Sequence, residues 1–233
     1  MAAPTSLSLP SGLGRPGLLK RLASALVLLP VFMVIVVNAP GWVFNILVVI
    51  ASAIALWELA RMFEQAGRPV YKWLGVVAGT ALTAAFGASR LLDPLLLPAA
   101  VLTLAVGAVL AAPVWQGRAP ATEPAANTLL AVLYVGWLLG YGILLHHTSP
   151  LGDQLVLFLV GVTWVGETAA YFVGSTVGRH KLALVISPRK TVEGAIAQVV
   201  ASVLTAAALG AWLLPACGGA ATLLAGGVLG MVG

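Results

Sequence analysis

The sequence predicts an all-α, polytopic bundle of transmembrane helices. Of its 233 residues, 61% are hydrophobic and only 8% are charged, whereas soluble domains average about 45–50% apolar and roughly 25% charged residues. Apolar runs long enough to cross a bilayer, which takes about 20 residues of helix, recur along almost the whole chain. We predict one membrane domain over residues 18–233, preceded by a disordered tail at 1–17 that is rich in Pro, Ser and Gly.

About eight membrane spans are predicted, the last one cut short. The first, Leu22–Val37, resembles a secretory signal because it follows two basic residues, but the run is long and many more spans follow, so we expect it to be retained. The other predicted spans, in chain order, are Trp42–Ala60, Trp73–Ala88, Leu95–Trp115, Asn127–Leu145, Leu155–Ser175, Gly194–Leu214 and a final one from about Gly219.

The distribution of basic residues predicts the orientation. Loops on the cytoplasmic side of membrane proteins are enriched in Lys and Arg. With the amino terminus in the cytoplasm, eleven of the 12 Lys and Arg residues lie inside and only Arg90 lies outside. Because these residues are scattered between apolar spans, the net charge of +5 does not indicate nucleic acid binding. We predict a multi-pass protein of a bacterial inner membrane that contacts membrane lipids.

The stretch ISPRKTVEGA, at 186–195, is a polar interruption of the apolar pattern. Ser187 is a good helix N-cap and Pro188 suits the first helical position, so we predict that a helix runs on from Arg189. Free backbone N–H groups in that first turn, beside the cations Arg189 and Lys190, would favour a phosphate or polyphosphate. The stretch is therefore a candidate phosphate site on the cytoplasmic side.

Further groups in the same loop could contact phosphate. Thr191 can contribute a hydroxyl, and Arg179, His180 and Lys181 lie a few residues upstream. A simpler explanation is that these cations only fix the topology and contact anionic lipid headgroups. Charge alone leaves both explanations open.

Acidic residues near this loop favour the phosphate site. Glu167 lies within the sixth predicted span, about 12 Å from its cytoplasmic end by helix rise, where an ionisable group is costly and usually serves a partner, a metal or a pathway. Glu193 is expected at the mouth of the seventh span, where it could also be a first-turn acid favoured by the helix dipole. Glu58 could pair with Arg61 one turn on. Carboxylates beside bound phosphates suit a transfer reaction that depends on Mg2+.

Other polar features carry less information. His146 and His147 lie on the predicted outer side near Asp153, where a hydrated loop is favoured over a metal site. Two glycine pairs have the small-xxx-small spacing that allows close helix packing, namely Gly136 with Gly140 and Gly174 with Gly178.

The run ETAAYFVGSTVGRHKLALVISPRKTVEGA, at 167–195, closely resembles the phosphatidate cytidylyltransferase family. Members typically have Asp-Thr-Gly-Ala-Tyr, then Gly-Lys-His-Lys-Leu, then Ile-Ser-Pro-Lys-Lys-Thr-Trp-Glu-Gly. The matching positions here are Thr168, Ala170, Tyr171, Phe172, Gly174, Gly178, His180, Lys181, Leu182, Ile186, Ser187, Pro188, Lys190, Thr191, Glu193 and Gly194. Weaker similarity extends to LLKRLASALVLLP near the amino terminus and to LWELARM at 56–62.

The resemblance implies a membrane enzyme that transfers CMP from CTP to phosphatidate, giving CDP-diacylglycerol and pyrophosphate, with Mg2+ as cofactor. It also implies roles for individual residues. The implied catalytic residues are Lys190, Glu193 and Glu167. The implied phosphate-binding residues are His180, Lys181, Ser187, Arg189, Lys190 and Thr191. The implied metal ligands are Glu167 and Glu193. A homodimer is a further possible assembly.

The chain departs from the family pattern at several places. Glu167 replaces the usual Asp, Ala169 replaces Gly and Val192 replaces Trp. Family members continue into a further segment whose signature supplies the main metal-binding aspartates, and that signature is not in this sequence. We therefore expect a fragment of a longer enzyme that is inactive by itself. The alternatives are a degenerate non-catalytic paralogue and an ion-coupled membrane transporter.

Overall fold

A computed structural model describes residues 29–88, 93–115, 122–183 and 187–233. The chain forms two compact units, Met1–Ala39 and Pro40–Gly233. The described part of the first unit is helix α1, Leu29–Asn38, an apolar helix. The predicted tail at 1–17 and the start of the first predicted span lie outside the described residues.

The second unit consists almost entirely of helices. Its elements are α2 Gly41–Gln65, α3 Lys72–Ala88, α4 Leu96–Trp115, α5 Thr122–Ala131, a π-helix Val132–Trp137, α6 Leu138–His146, α7 Gly152–Thr176, β1 Lys181–Ala183, β2 Ser187–Thr191, α8 Val192–Leu213, a 3-10 turn Pro215–Cys217 and α9 Gly219–Val232. The prediction of an all-α bundle is confirmed, with a two-stranded hairpin as an addition. Each predicted span after the first has a helical counterpart.

In the part of the chain that the structure describes, five helical segments are long and apolar enough to cross a membrane. They are Gly41–Gln65, Leu96–Trp115, Thr122–His146, Gly152–Thr176 and Val192–Leu213. Shorter apolar helices cover Leu29–Asn38, Lys72–Ala88 and Gly219–Val232. Large apolar side chains also face outward, as with Leu104 at 72% exposure and Trp212 at 76%. Such a surface suits lipid and not water, so the chain is a multi-pass membrane protein.

Helices α2 to α6 pack around an apolar core made by Leu82, Phe86, Val132 and Ile143. One polar contact crosses this core: the hydroxyls of Ser52 and Thr83 are 2.8 Å apart, and both residues are fully buried. The Thr83 hydroxyl is also 3.0 Å from the carbonyl oxygen of Gly136 in the π-helix. This contact ties α2, α3 and the π-helical turn together inside the membrane, where a polar group needs a partner.

Helices α7, α8 and α9 form a second group around Phe158, Val162, Ala206 and Leu214. Helices α7 and α8 approach closely along a seam of small residues. A Cβ atom added at Gly194 of α8 would lie only 2.9 Å from the carbonyl oxygen of Ala170 and 3.3 Å from the Cα of Gly174, both in α7. The two helices therefore meet backbone to backbone near the hairpin.

The end of the bundle opposite the hairpin contains a buried histidine. His146 has a side chain that is only 5% exposed, and its Nε2 lies 3.2 Å from Oδ1 of Asp153. Its ring stacks on Phe44 with 4.1 Å between centroids. The prediction that His146 lies in a hydrated loop is wrong, because α6 continues to this residue and α2 packs over it.

Candidate functional site

The polar stretch after α7 folds as a bulged β-hairpin. Strands β1 and β2 are antiparallel, with Lys181 opposite Thr191 and Ala183 opposite Ser187. Between these two pairs, β2 has three residues, 188–190, opposite the single residue Leu182 of β1, and this difference forms the bulge. Pro188 has no backbone N–H and cannot donate to the strand ladder, which suits a bulged position. The bulge places Arg189 and Lys190 together at the surface, and such bulges redirect side chains beside functional sites.

The helix start predicted from the sequence is wrong. Ser187 is not an N-cap, and Pro188 and Arg189 lie in strand β2 and not in a first helical turn. Helix α8 begins at Val192, and Thr191 is its N-cap, with extended φ −122° and ψ 153°. Pairing with β1 at Ser187 and Thr191 holds this segment extended, so the helix forms only where the pairing ends.

The chain itself uses the amides at the start of α8. Val192 N–H donates to the carbonyl oxygen of His180 over 2.9 Å. Gly194 N–H donates to the Thr191 hydroxyl over 3.2 Å. The predicted cradle of free N–H groups beside Arg189 and Lys190 is therefore absent from the described hairpin. An anion bound here would be held by side chains.

Four cations surround this hairpin. Lys181, Arg189 and Lys190 are exposed on the strands, and Arg179 is exposed just before them. Within the described ranges none of the four forms an ion pair with a carboxylate side chain. Lys190 Nζ donates to the carbonyl oxygen of Gly233 over 3.2 Å, which places the end of α9 beside strand β2. The hairpin thus carries positive charge at its surface that no side-chain carboxylate of the described residues neutralises.

Glu193 is held by His180. A carboxylate oxygen of Glu193 lies 2.6 Å from Nδ1 of His180, and the two carboxylate oxygens accept from the His180 backbone N–H over 3.2 and 3.3 Å. The Glu193 side chain is 25% exposed and that of His180 is 80% exposed. The pair ties the residue before β1 to the first turn of α8, so the carboxylate fixes the base of the hairpin.

Thr191 lies in the interior and not at the hairpin surface. It is 4% exposed, and three glycines make room for it. A Cβ atom added at Gly178 would lie 2.7 Å from both Oγ1 and Cγ2 of Thr191, and one added at Gly174 or Gly194 would lie 3.0 Å from Oγ1. The Thr191 hydroxyl caps α8 from within this packing, whereas the sequence suggested a phosphate contact.

Glu167 lies apart from the hairpin. It is on α7, about 14 Å by helix rise from the end of that helix at Thr176. It is exposed, on the same helical face as Trp164 and Tyr171, which are 45% and 59% exposed. Among the described residues it forms no ion pair, and Glu58 forms none with Arg61. An acid at such a depth is costly without a partner, so this face of α7 is a candidate contact surface.

The described residues do not assemble a metal site by themselves. No three His, Cys, Asp or Glu side chains in the described ranges are grouped as metal ligands would be. Of the two predicted ligands, Glu193 is engaged by His180 and Glu167 lies on α7. Since Mg2+ prefers several oxygen ligands, these two residues alone do not fit it.

Comparison with known proteins identifies the family. Residues 19–233, nearly the whole chain, match the Cytidylyltransferase family. The chain belongs to this family. The most similar cytidylyltransferases include proteins named phosphatidate cytidylyltransferase from Staphylococcus saprophyticus, at 40% identity over 80 residues, and from Staphylococcus aureus, at 36% over 85 residues. The aligned segments cover 34% and 36% of this chain, and 30% and 32% of those two proteins. No solved structure shows a significant match.

The cytidylyltransferase motif residues separate into two groups in the structure. Gly174, Gly178, Thr191 and Gly194 pack together under the hairpin and set its position on α7. Lys181 and Lys190 are exposed on the strands. The resemblance found from the sequence is confirmed. The spacing of Gly174 and Gly178 indicated close packing, and the structure adds that Thr191 is the residue that packs against them.

Proposed function

We propose that this chain carries the phosphate-holding part of a phosphatidate cytidylyltransferase, which transfers CMP from CTP to phosphatidate and forms CDP-diacylglycerol and pyrophosphate. The observation that carries the proposal is the bulged hairpin. It presents Lys181, Arg189 and Lys190 at the end of apolar helices in a member of the cytidylyltransferase family, and none of the three pairs with a side-chain carboxylate of the described residues. Cations in this position suit a phosphate-rich nucleotide from water and a lipid phosphate from the bilayer.

The same end of the bundle is proposed to face the cytoplasm of a bacterium, with the protein in the inner membrane. All seven Lys and Arg residues in the described ranges lie at this end: Arg61, Arg68, Lys72, Arg179, Lys181, Arg189 and Lys190. An excess of basic residues marks the cytoplasmic side of membrane proteins. This orientation supports the proposal, because it gives the hairpin access to cytoplasmic CTP.

In the proposed reaction, a phosphate oxygen of phosphatidate attacks the α-phosphorus of CTP, and the bond to the β-phosphate breaks. Pyrophosphate leaves with the electron pair of that bond. Lys181, Arg189 and Lys190 neutralise the phosphates and align the two substrates, which is the main requirement of such a transfer. The pair of His180 and Glu193 keeps the hairpin in place. The proposed Mg2+ dependence and the proposed catalytic roles of Glu167, Glu193 and Lys190 rest on the family resemblance.

The test measures CDP-diacylglycerol formed from labelled CTP and phosphatidate in vesicles that contain this chain. Parallel vesicles contain the product of the gene read to its natural stop codon. In whichever protein is active, Arg189→Gln and Lys190→Gln should each raise the KM for CTP about tenfold, since each removes a charge-assisted contact. Arg61→Gln is the matched control, because it removes the same charge at the same end of the bundle, and it should leave this KM unchanged.

Two outcomes would count against the proposal. If Arg189→Gln and Lys190→Gln behave as Arg61→Gln does, the hairpin does not hold the nucleotide. If neither protein forms CDP-diacylglycerol, the non-catalytic paralogue becomes the better explanation. Ion-dependent uptake of a solute into the same vesicles would instead favour the transporter.

A further inference from the structure

A second cationic surface lies at the turn between α2 and α3. Helix α2 ends in a tight motif in which Gly67 adopts φ +70°. Gly67 N–H donates to the Glu64 carbonyl oxygen over 3.1 Å, and Arg68 N–H donates to that of Phe63 over 2.9 Å. This pattern ends a helix sharply and satisfies its last carbonyls. It leaves the Arg68 side chain exposed beyond the helix end.

The turn is fastened to α5 by buried polar side chains. Asn127 Nδ2 donates to the Pro69 carbonyl oxygen over 2.9 Å, and Tyr71 N–H donates to Oγ1 of Thr128 over 2.9 Å. Asn127 is 8% exposed and Thr128 is fully buried. The helix-ending hydrogen bonds hold the start of the turn and the contacts to α5 hold its end, so the surface is already ordered before it meets a ligand.

One cation of the turn is neutralised within the protein. Lys72 Nζ lies 2.9 Å from a carboxylate oxygen of Glu64, and its side chain is 18% exposed. The same ammonium lies 4.0 Å from the ring centroid of Trp57. Arg61 and Arg68, by contrast, are exposed and form no ion pair within the described ranges. Two guanidinium groups thus remain available to an external anion.

Apolar and aromatic groups flank these arginines on the side toward the bilayer. Trp57 and Trp73 pack edge to face with 5.1 Å between ring centroids. Trp73 is 69% exposed, Met62 63% and Val77 63%. Tryptophan is enriched at the level of lipid headgroups because its ring has an apolar body and a polar N–H. The surface therefore passes from apolar to aromatic to cationic, in the order of a phospholipid from its chains to its phosphate.

We propose that Arg61, Arg68 and Trp73 form a docking surface for the phosphate headgroup of an anionic membrane phospholipid, separate from the hairpin. Because exposed apolar groups lie beside the arginines, the proposed ligand is a lipid and not free phosphate. The proposed surface takes no part in catalysis, so it can be tested separately from the proposed cytidylyltransferase activity.

The test measures by native mass spectrometry how many lipids remain bound to the protein released from micelles that contain equal amounts of phosphatidylglycerol and phosphatidylcholine. The unmodified protein should retain phosphatidylglycerol in preference. The double variant Arg61→Gln/Arg68→Gln should lose this preference by about fivefold or more, since a surface cation is worth about that factor toward an anionic headgroup. Glu64→Gln should have the opposite effect, because it leaves the charge of Lys72 uncompensated.

Arg61→Lys/Arg68→Lys is the matched control, because it changes the same two residues and keeps both positive charges. It should leave the retained phosphatidylglycerol unchanged. The proposal is overturned if Arg61→Gln/Arg68→Gln retains as much phosphatidylglycerol as the unmodified protein. It is also overturned if Arg61→Lys/Arg68→Lys causes the same loss, since the positive charge of these two residues would then not set the preference. Thermal unfolding of each variant checks that the fold is retained.

Discussion

Gly178→Ala is the most direct test of how the hairpin is positioned. Gly178 lies just beyond α7, and an added Cβ atom would meet two atoms of Thr191 at 2.7 Å as well as the carbonyl oxygen of Gly174. Thr191 is buried and its hydroxyl caps α8, so neither neighbour can rotate away. The extra methyl must therefore push the hairpin off its packing position.

The size of the effect follows from this geometry. Ordinary contact begins at 3.4 Å, so the hairpin must open by about 0.7 Å at Thr191. Overpacking of this kind lowers the free energy of unfolding by about 1–3 kcal/mol. For a protein of this size, a loss of about 2 kcal/mol lowers the melting temperature by about 4–8 °C. The matched control is Gly107→Ala in α4, where nothing lies within 4 Å of the added atom. It should stabilise the helix by up to about 1 kcal/mol.

Thermal unfolding in a mild detergent, followed by tryptophan fluorescence, measures both variants. A second substitution, Thr191→Ser, removes the Cγ2 atom and keeps the capping hydroxyl. Thr191→Ser should lower the melting temperature less in the Gly178→Ala variant than in the unmodified protein, because in the variant it relieves part of the clash. Equal melting temperatures for Gly178→Ala and Gly107→Ala would refute the packing that we describe.

Further predictions concern buried hydroxyls. Thr191→Val should lower the free energy of unfolding by about 1–2 kcal/mol, because the Gly194 N–H loses its acceptor in the interior. Thr83→Val should cost about 1 kcal/mol, in keeping with the modest strength of hydrogen bonds between membrane helices. Thr103→Val is the control for both, since Thr103 is exposed and its hydroxyl donates to the Ala99 carbonyl oxygen within its own helix. If Thr103→Val lowered the free energy of unfolding as much as Thr191→Val and Thr83→Val do, the capping and helix-linking roles of these two hydroxyls would be contradicted.

The helices were predictable because a membrane imposes a simple length and composition on them. Each predicted span after the first overlaps an observed helix, and the family resemblance extended to the loop after α7. The structure could not be predicted where a helix start and strand pairing compete for the same backbone groups. Ser187 and Pro188 fit a helix start by local preference, but in the structure this segment pairs with β1 as a strand.

A local signal for the strand was present. A residue before proline favours extended backbone, and Val185 and Ile186, which precede Ser187, are β-branched. The bulge and the pairing of Lys181 with Thr191 are not readable from such preferences, because they depend on how Thr191 packs under the hairpin. The burial of His146 was missed for a related reason, since Phe44, which stacks on it, is distant in sequence.

The glycine seam between α7 and α8 sets how far the hairpin stands from the bilayer. Where the Cα of Gly174 and the backbone of Gly194 meet, neither helix has a side chain that could yield to a different register. A slide of one helical turn would carry the hairpin about 5.4 Å along the membrane normal, more than half the screening length of about 8 Å at physiological ionic strength. The seam therefore holds the cations at one level relative to the helices, as the proposed meeting of a lipid phosphate with a dissolved nucleotide requires.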